Sequence, residues 1–563
     1  MADIDYIQHS HTFFAPLGRR GITPLVTQNG ELLSQRDGVP EPKNIQGDVI
    51  YLFPKVAEAF VFCRISDIAI FKKALASFEP THGESVFQNL HAIRSAKLEG
   101  RRHHVPLVQK QIAFTRAGLN LLGQTEKIGD DRFDKFCMRD NKTYLGDGMP
   151  WDAVFNRNDH FDPINGTANV DEGAIHSVVS IAAHGWYHHV AECARAVENF
   201  LVEFHGALEP NVTVIQGKGR PGNQKGHEHF GYMDGISQPA IRGLIVPKPG
   251  QIQVDPGVIV TGYKGDPHLN KRPEWAKDGT FMVFRKLQQL VPEFHEYLNV
   301  NGRRWKEFVP KVDTTKPLTD EQGAQLWGAR MIGRWPSGAP LALAPVFDDP
   351  ELAKDEKRNN NFDYLVPGIF GPTDIHCPFT AHTRKTAPRN LDPFAGKKFL
   401  ESASIVRAGI PFGDEVSKQE RDSHKSDEHR DKWRGLLFVC YQSDLDSGFV
   451  RQTVEYANND YAPTVSFIPQ IHGQDPILGG PPHPLSDPIS IKEKRDVESG
   501  DQVDLVFTNT KGDNLEVKGF ATVARHGAQP PPGVPQQFFV NSRGGEYFFV
   551  PSISTLQQLA GCP

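Results

Sequence analysis

The sequence predicts an α+β fold with antiparallel sheets. Short runs of β-branched and aromatic residues alternate with segments of helical apolar spacing along the chain. The strand runs are too isolated for a simple series of parallel βαβ units. A strand-then-helix unit that begins near residue 58 returns near residue 278, which suggests a second, similar domain.

Taken in order, residues 1–43 mix polar residues with Gly and Pro and read as an N-terminal arm. NIQGDVIYLFPK (44–55) reads as a turn entering a strand, and EAFVFCRI (58–65) as a second strand. DIAIFKKALASF (67–78) has helical spacing. Residues 176–204 read as a strand followed by a long amphipathic helix. From about 205 to 255 the chain is rich in Gly and Pro. DGTFMVFRKLQQLVPEFHEYL (278–298) restarts the strand-then-helix pattern, and LLFVCYQSD (436–444) is a strand followed by a helix through about Asn458. The segments 347–361 and 413–434 are charge-dense with mixed signs and read as solvated insertions. QPPPGVPQQ (529–537) reads as a stiff extended piece, ahead of GGEYFFVPS (544–552).

The 563 residues are 38% hydrophobic and 23% charged, ordinary for a globular protein, with a net charge of −6. That balance argues against nucleic acid as the main partner. No run of about 18 apolar residues exists, so no membrane-spanning helix is expected. The N-terminus lacks the basic-then-apolar pattern of a signal peptide, which points to the cytoplasm, or to secretion if a signal has been removed. The six cysteines are scattered without a CxxC pair, so they support neither a zinc site nor a disulfide framework.

Four stretches can carry chemistry. In GYMDG (231–235) an acid, Asp234, stands between two glycines that permit unusual φ values and close approach to a flat ligand. HCPFTAHTRKTAPR (376–389) sets His376 and His382 among Arg384, Lys385 and Arg389; cations oppose a bound zinc dication but suit an anionic cofactor such as haem. In SIVRAGIPFG (404–413), Arg407 lies in an apolar stretch and needs an anion or a hydrogen-bonding partner. In GLLFVCYQSD (435–444), period two puts Leu436, Phe438, Cys440, Gln442 and Asp444 on one face. Its apolar start could wall a pocket, and its carboxylate could accept the N–H of a ligand histidine.

In this combination and order the stretches resemble the dye-decolorizing peroxidases, a family of haem enzymes. The likeness covers roughly residues 44 to 552. GYMDG matches the family's GxxDG motif, Ala381–Lys385 its AHxRK segment, and RAGIPFG its distal-arginine segment. It implies two ferredoxin-like domains, 44–255 ending in the GxxDG loop and 256–563 with the charged insertions, and a haem pocket mainly in the second. It implies one haem b per chain, with His382 as the iron ligand. Asp234 would be the distal acid–base and Arg407 the distal arginine. Asp444 would hydrogen-bond His382, and Arg384 would meet a propionate. Leu436 and Phe438 would line the distal pocket, with Gly235, Ile236 and Ser237 against the haem.

A peroxidase with these groups would reduce hydrogen peroxide and oxidise dyes, phenolics or other one-electron donors, as a monomer or homodimer. One carboxylate can move the proton between peroxide oxygens, a contribution of about 10²–10⁴ in rate. The guanidinium stays protonated and can only stabilise negative charge. Bulky donors would react at the haem edge or through a surface Trp or Tyr, and Trp433 and Tyr441 lie near the strand that walls the pocket. A haem carrier, sensor or iron-extracting protein would need His382 but not Asp234 and Arg407 together. A zinc hydrolase using His184, His188, His227 and His229 lacks the HExxH glutamate, since Gly185 stands in its place.

Overall fold

The computed structural model describes residues 38–100, 105–156, 174–185, 188–309, 317–369, 371–459, 461–464, 466, 473–479, 505–508, 514–517 and 539–562. Most of the arm and all of 529–537 lie outside them. The strands, in chain order, are β1 (Ala57–Cys63), β2 (Leu107–Phe114), β3 (Ser177–His184), β4 (Thr213–Lys218), β5 (Ala240–Ile241), β6 (Gln253–Val254), β7 (Thr280–Gln289), β8 (Val406–Arg407), β9 (Ile410–Phe412), β10 (Gly435–Gln442), β11 (Leu505–Thr508), β12 (Asn514–Val517) and β13 (Val540–Val550).

Nine of these form one antiparallel sheet in the order β4-β1-β3-β2-β13-β7-β10-β8, with β9 also on β10. Within the first half the order is fourth, first, third, second. The second half repeats it, with β13 as the fourth strand and β8–β9 as the second. The two units are joined rather than separate. β13 pairs with β2 at Phe549 and Phe114, and β4 packs on β9 where the curled sheet meets its other end. At that seam Gly217 leaves no room for a side chain, because a Cβ would meet the Ile410 side chain and the Pro411 carbonyl.

The strands β1, β3, β7 and β13 are covered on both faces. Every residue of β1 is buried, which explains its continuous apolar reading. The helix Ile68–Ser77 starts where Asp67 accepts the Ile70 N–H at 2.9 Å. The helix Asp320–Ile332 carries a Thr319/Gln322 capping box and stops at Gly333, whose φ is 91°. The expected helices at 189–203 and 291–302 are present. Residues 44–55 are a buried turn instead of a strand: Asp48 accepts the Phe53 N–H at 2.6 Å and bends the chain before pairing can begin.

One core runs through both halves, from Ile45 to Leu559. Phe284 of β7 meets Phe60 and Phe62 of β1 with ring centroids 4.9 and 5.0 Å apart. A second core lies between the helices Val291–Gly302 and Asp320–Ile332. No described helix is long and apolar enough to cross a membrane.

The charged insertions are more than solvated loops. In 347–361, Asn360 is buried and grips Arg334, Arg389 and Ser237. In 413–434, Glu420 and Arg434 form a buried bidentate pair at 2.7 and 2.9 Å.

Candidate active site

The loop 231–235 turns on two left-handed glycines, Gly231 at φ 99° and Gly235 at φ 72°. A Cβ on Gly231 would meet nothing, so backbone conformation and not space demands glycine there. The loop is fixed by the Asp234 N–H on the Gly226 carbonyl at 3.0 Å and by Glu228, whose carboxylate accepts the Phe230 and Tyr232 N–H groups, both at 2.8 Å. Burial raises the Glu228 pKa, opposed by those N–H donors and the Gln289 amide.

Arg407 comes to this loop on β8. Its backbone is locked by Gln238, which accepts its N–H at 3.0 Å and donates to its carbonyl at 2.7 Å. Its Nη1 stands 3.3 Å from Asp234 Oδ1, and its Nη2 donates to the Ser237 carbonyl at 3.2 Å. The two side chains are 40% and 37% exposed, Asp234 and Arg407 respectively, so both remain reachable by a small molecule.

Both line an elongated cavity of about 290 Å³ that also contains His382, Gly235, Ile236 and Ser237. Leu436 and Phe438, on the outward face of β10, wall it together with Leu287 of β7. His382 opens the short helix His382–Thr386. Its Nδ1 is 2.8 Å from Asp475 Oδ2, which leaves Nε2 as the available donor atom. Burial pushes the imidazole pKa down, and the Asp475 carboxylate more than reverses this, for a net rise.

Asp444 is not the acid at His382. It lies beyond the end of β10, where its carboxylate meets His268 Nε2 at 3.0 Å and accepts the Ser447 N–H at 2.7 Å. The chain leaves the period-two face at Ser443, so the alternation that reached Phe438 does not extend to it. Burial opposes its ionisation, but His268 and Ser447 hold its pKa down at about 2. The acid that does reach His382, Asp475, is fully buried and also accepts the Ile477 and Leu478 N–H groups at 2.8 and 3.0 Å. In the sequence it reads only as an Asp-Pro turn.

Arg384 also lies off the cavity. Its side chain turns inward, donates to the Thr373 and Cys377 carbonyls and stacks over Phe379 and Tyr364. Besides Arg407, and Arg285 which is paired with Asp147, the cavity's guanidiniums are Arg334 and Arg389. Arg334 donates to the Gly338 and Asn359 carbonyls, both at 2.8 Å, and Arg389 to those of Gly250, Asn360 and Phe362. Neither makes an ion pair with a carboxylate among the described contacts. Burial, with Arg389 and Arg407 close by, lowers the Arg334 pKa to about 9. Two enclosed cations, an imidazole with one free nitrogen and apolar walls suit a flat dianionic metal macrocycle such as haem.

A larger vestibule of about 910 Å³ reaches Asp234, Gly235 and Arg407 from the other side. The Asp234–Arg407 pair thus stands in the partition between the two spaces. Tyr441 faces the core, its hydroxyl donating to Gln111 at 2.7 Å, while Trp433 is stacked by Arg543 at 3.9 Å.

Comparison with known proteins decides the family. A profile described as the DyP dimeric alpha+beta barrel domain matches residues 44–221. A dye-decolorizing peroxidase of Exidia glandulosa is 37% identical over 515 residues, 91% of this chain and 86% of that one. The chain belongs to the dye-decolorizing peroxidase family. A second dye-decolorizing peroxidase, from Mycetinis scorodonius, is 34% identical over 520 residues, again 91% of this chain and 86% of its own length. The solved structure of an ancestral D-type dye-decolorizing peroxidase superimposes with a TM-score of 0.74 at 37% identity, covering 92% of this chain and 99% of that one. The fold is that of the dye-decolorizing peroxidases, and the chain is an oxidoreductase of the peroxidase type.

Proposed function

We propose that this peroxidase holds one haem b in the His382 cavity, reduces hydrogen peroxide there, and oxidises bulky dyes, phenolics or other one-electron donors. The observation that carries the reading is the placement of an acid–guanidinium pair, Asp234 and Arg407, on the same cavity as an imidazole tethered through Nδ1 to Asp475. His382 Nε2 would hold the iron, Arg334 and Arg389 would answer the propionates, and Leu436, Phe438 and Ile236 would pack on the ring. When bound, the haem supplies the iron that takes peroxide and the oxidising equivalents passed to donors.

The remaining work falls to this chain's side chains. Asp234 accepts the proton from one peroxide oxygen and delivers it to the other, directly or through a water, so that the O–O bond breaks with water as the leaving group. Arg407 cannot serve as base at any ordinary pH. Its guanidinium attracts the negative charge that develops on the peroxide oxygens and, 3.3 Å from Asp234 Oδ1, keeps that carboxyl group aimed. The vestibule gives peroxide a route to the pair. The apolar walls exclude water and leave no room for a bulky donor beside the iron, so donors react at the haem edge or at a surface aromatic. All of these residues come from one chain, which suits a monomer or a homodimer equally.

The test is a stopped-flow absorbance scan of haem-loaded protein mixed with one equivalent of hydrogen peroxide. The expected result is a fast loss and shift of the Soret band that added dye reverses. Asp234→Asn should slow that phase by about 10²–10⁴-fold, and Arg407→Leu by about 10²–10³-fold. A normal haem spectrum that ignores peroxide would overturn the reading in favour of a haem carrier or iron-handling protein.

A further inference from the structure

The turn 44–55 ends in a lysine that takes no part in the chemistry proposed so far. The side chain of Lys55 is fully buried, as are those of its partners Asp48 and Glu58. Its ammonium stands 3.2 Å from Asp48 Oδ2 and 2.6 Å from Glu58 Oε2. Taking a cation out of water is costly unless it is paired and hydrogen-bonded. Both carboxylates sit on rigid supports. Asp48, at φ 70°, also accepts the Phe53 N–H at 2.6 Å, and Glu58 stands on β1.

The same ammonium donates to the Ala408 carbonyl at 2.6 Å. Ala408 directly follows Arg407. Arg407 pairs with Cys440 and Ile410 with Leu437, so one register runs through Ala408 and Gly409 and the chain between β8 and β9 is extended. Successive residues of an extended chain turn their N–H and C=O groups to opposite sides. Arg407 gives both of its groups to Gln238. Ala408 turns the other way, with its N–H on the Val439 carbonyl at 2.8 Å and its C=O on Lys55. Gln238 and Lys55 therefore grip neighbouring carbonyls from either side of the strand. The grip matters because the Arg407 and Asp234 side chains, 3.3 Å apart, are each more than a third exposed, so packing alone does not aim the guanidinium.

We propose that Lys55 is a positioning residue for Arg407: through the Ala408 carbonyl it holds the strand that aims the guanidinium at Asp234 and at peroxide. The proposal rests on the peroxide-handling role given to Arg407. A neutral side chain of similar size could fill the space of Lys55. It would leave the Ala408 carbonyl without this donor and two buried carboxylates without their cation. The turn that leads into β1 thus ties the first half of the sheet to the arginine strand of the second.

The experiment is a double-mutant cycle on the haem-loaded protein. K55M/E58Q removes the ammonium together with the carboxylate nearest to it, which leaves the formal charge of the cluster as it was. It should slow the peroxide-driven Soret change by about 10–100-fold. Fluoride, added to the resting protein and followed by absorbance, should bind about tenfold more weakly. Glu58→Gln alone keeps Lys55 on Ala408 and should leave both readings near wild type. In an Arg407→Leu background K55M/E58Q should add nothing further, because both changes act through one guanidinium. Hydrogen exchange of the 406–412 amides should be faster in K55M/E58Q with or without haem, so a variant that loads poorly still decides the question. Wild-type peroxide and fluoride behaviour in K55M/E58Q, an equal loss in Glu58→Gln, or an effect that adds in full to that of Arg407→Leu would overturn the proposal. So would unchanged exchange at 406–412. Wild-type behaviour of Arg407→Leu would instead overturn the role given to Arg407 itself, so the two failures are distinguishable.

Discussion

Asp475 shows how much one side chain can decide. It has two tasks: one oxygen caps the turn into Ile477 and Leu478, and the other meets His382 Nδ1 at 2.8 Å. A carboxylate there fixes the ring orientation and makes Nε2 a stronger donor. Asp475→Asn keeps the shape and removes the charge. It should cost about 10–100-fold in haem affinity or activity and raise the ferric/ferrous midpoint potential, measured by Soret titration and spectroelectrochemistry. Asp444→Asn should leave both unchanged, because Asp444 is engaged with His268 and Ser447. If Asp444→Asn shifted the potential and Asp475→Asn did not, Asp475 would not be the acid that acts on His382.

At the scale of elements, the insertion 413–434 is held by the Glu420–Arg434 pair, which anchors the helix Lys418–Ser423 beside the start of β10. Burial works against the Glu420 charge, but Arg434, Ser417 and Asp427 more than offset it and lower its pKa to about 2. The unfolded chain therefore takes up this proton first as pH falls. The stability Glu420 contributes is fully present above its ordinary value of 4.5 and disappears as pH drops toward 2. Glu420→Gln should flatten that part of the pH dependence. It also leaves Arg434 buried without its counter-charge, a cost of about 3–5 kcal/mol near neutral pH. Urea denaturation of both proteins at neutral and acid pH reads both effects; equal stability at neutral pH would show that the pair is not buried in solution. The other insertion, 347–361, teaches a similar lesson, since Asn360 accepts from Arg334 and Arg389 at the cavity.

At the scale of the whole molecule, the two repeated units share one sheet and one core, and the site lies where they meet. Phe284 of the second half packs on Phe60 and Phe62 of the first. Phe284→Ala should therefore destabilise both halves together, by about 3–5 kcal/mol, and lower a single thermal transition in calorimetry. Two transitions, only one of them shifted, would show that the halves unfold independently. The seam between β4 and β9 borders the vestibule through Lys218, Ile410 and Pro411, so the closure that completes the sheet also shapes access to Arg407.

Local patterns were enough to read the strands β1, β3, β7 and β10, the helices that follow β3 and β7, and the glycine turn around Asp234. Each depends on contacts within a few residues, where φ preference, alternation and helical spacing act directly. The same patterns made Leu436, Phe438 and Arg407 candidates, and the family resemblance singled out His382 from His376; the cavity brings those four together with Asp234. They could not show that Arg384 turns away, that Arg334 and Arg389 take the cavity side, or that Asp475 rather than Asp444 reaches His382. Those choices depend on pairs far apart in the chain, such as the 93 residues between His382 and Asp475. The sequence by itself determined the repeated α+β units and the residue types the chemistry needs. Only the tertiary structure decided which acid and which cations stand within hydrogen-bonding reach of the site, because charge and hydrogen-bond partners are selected by distance in space and not by order along the chain.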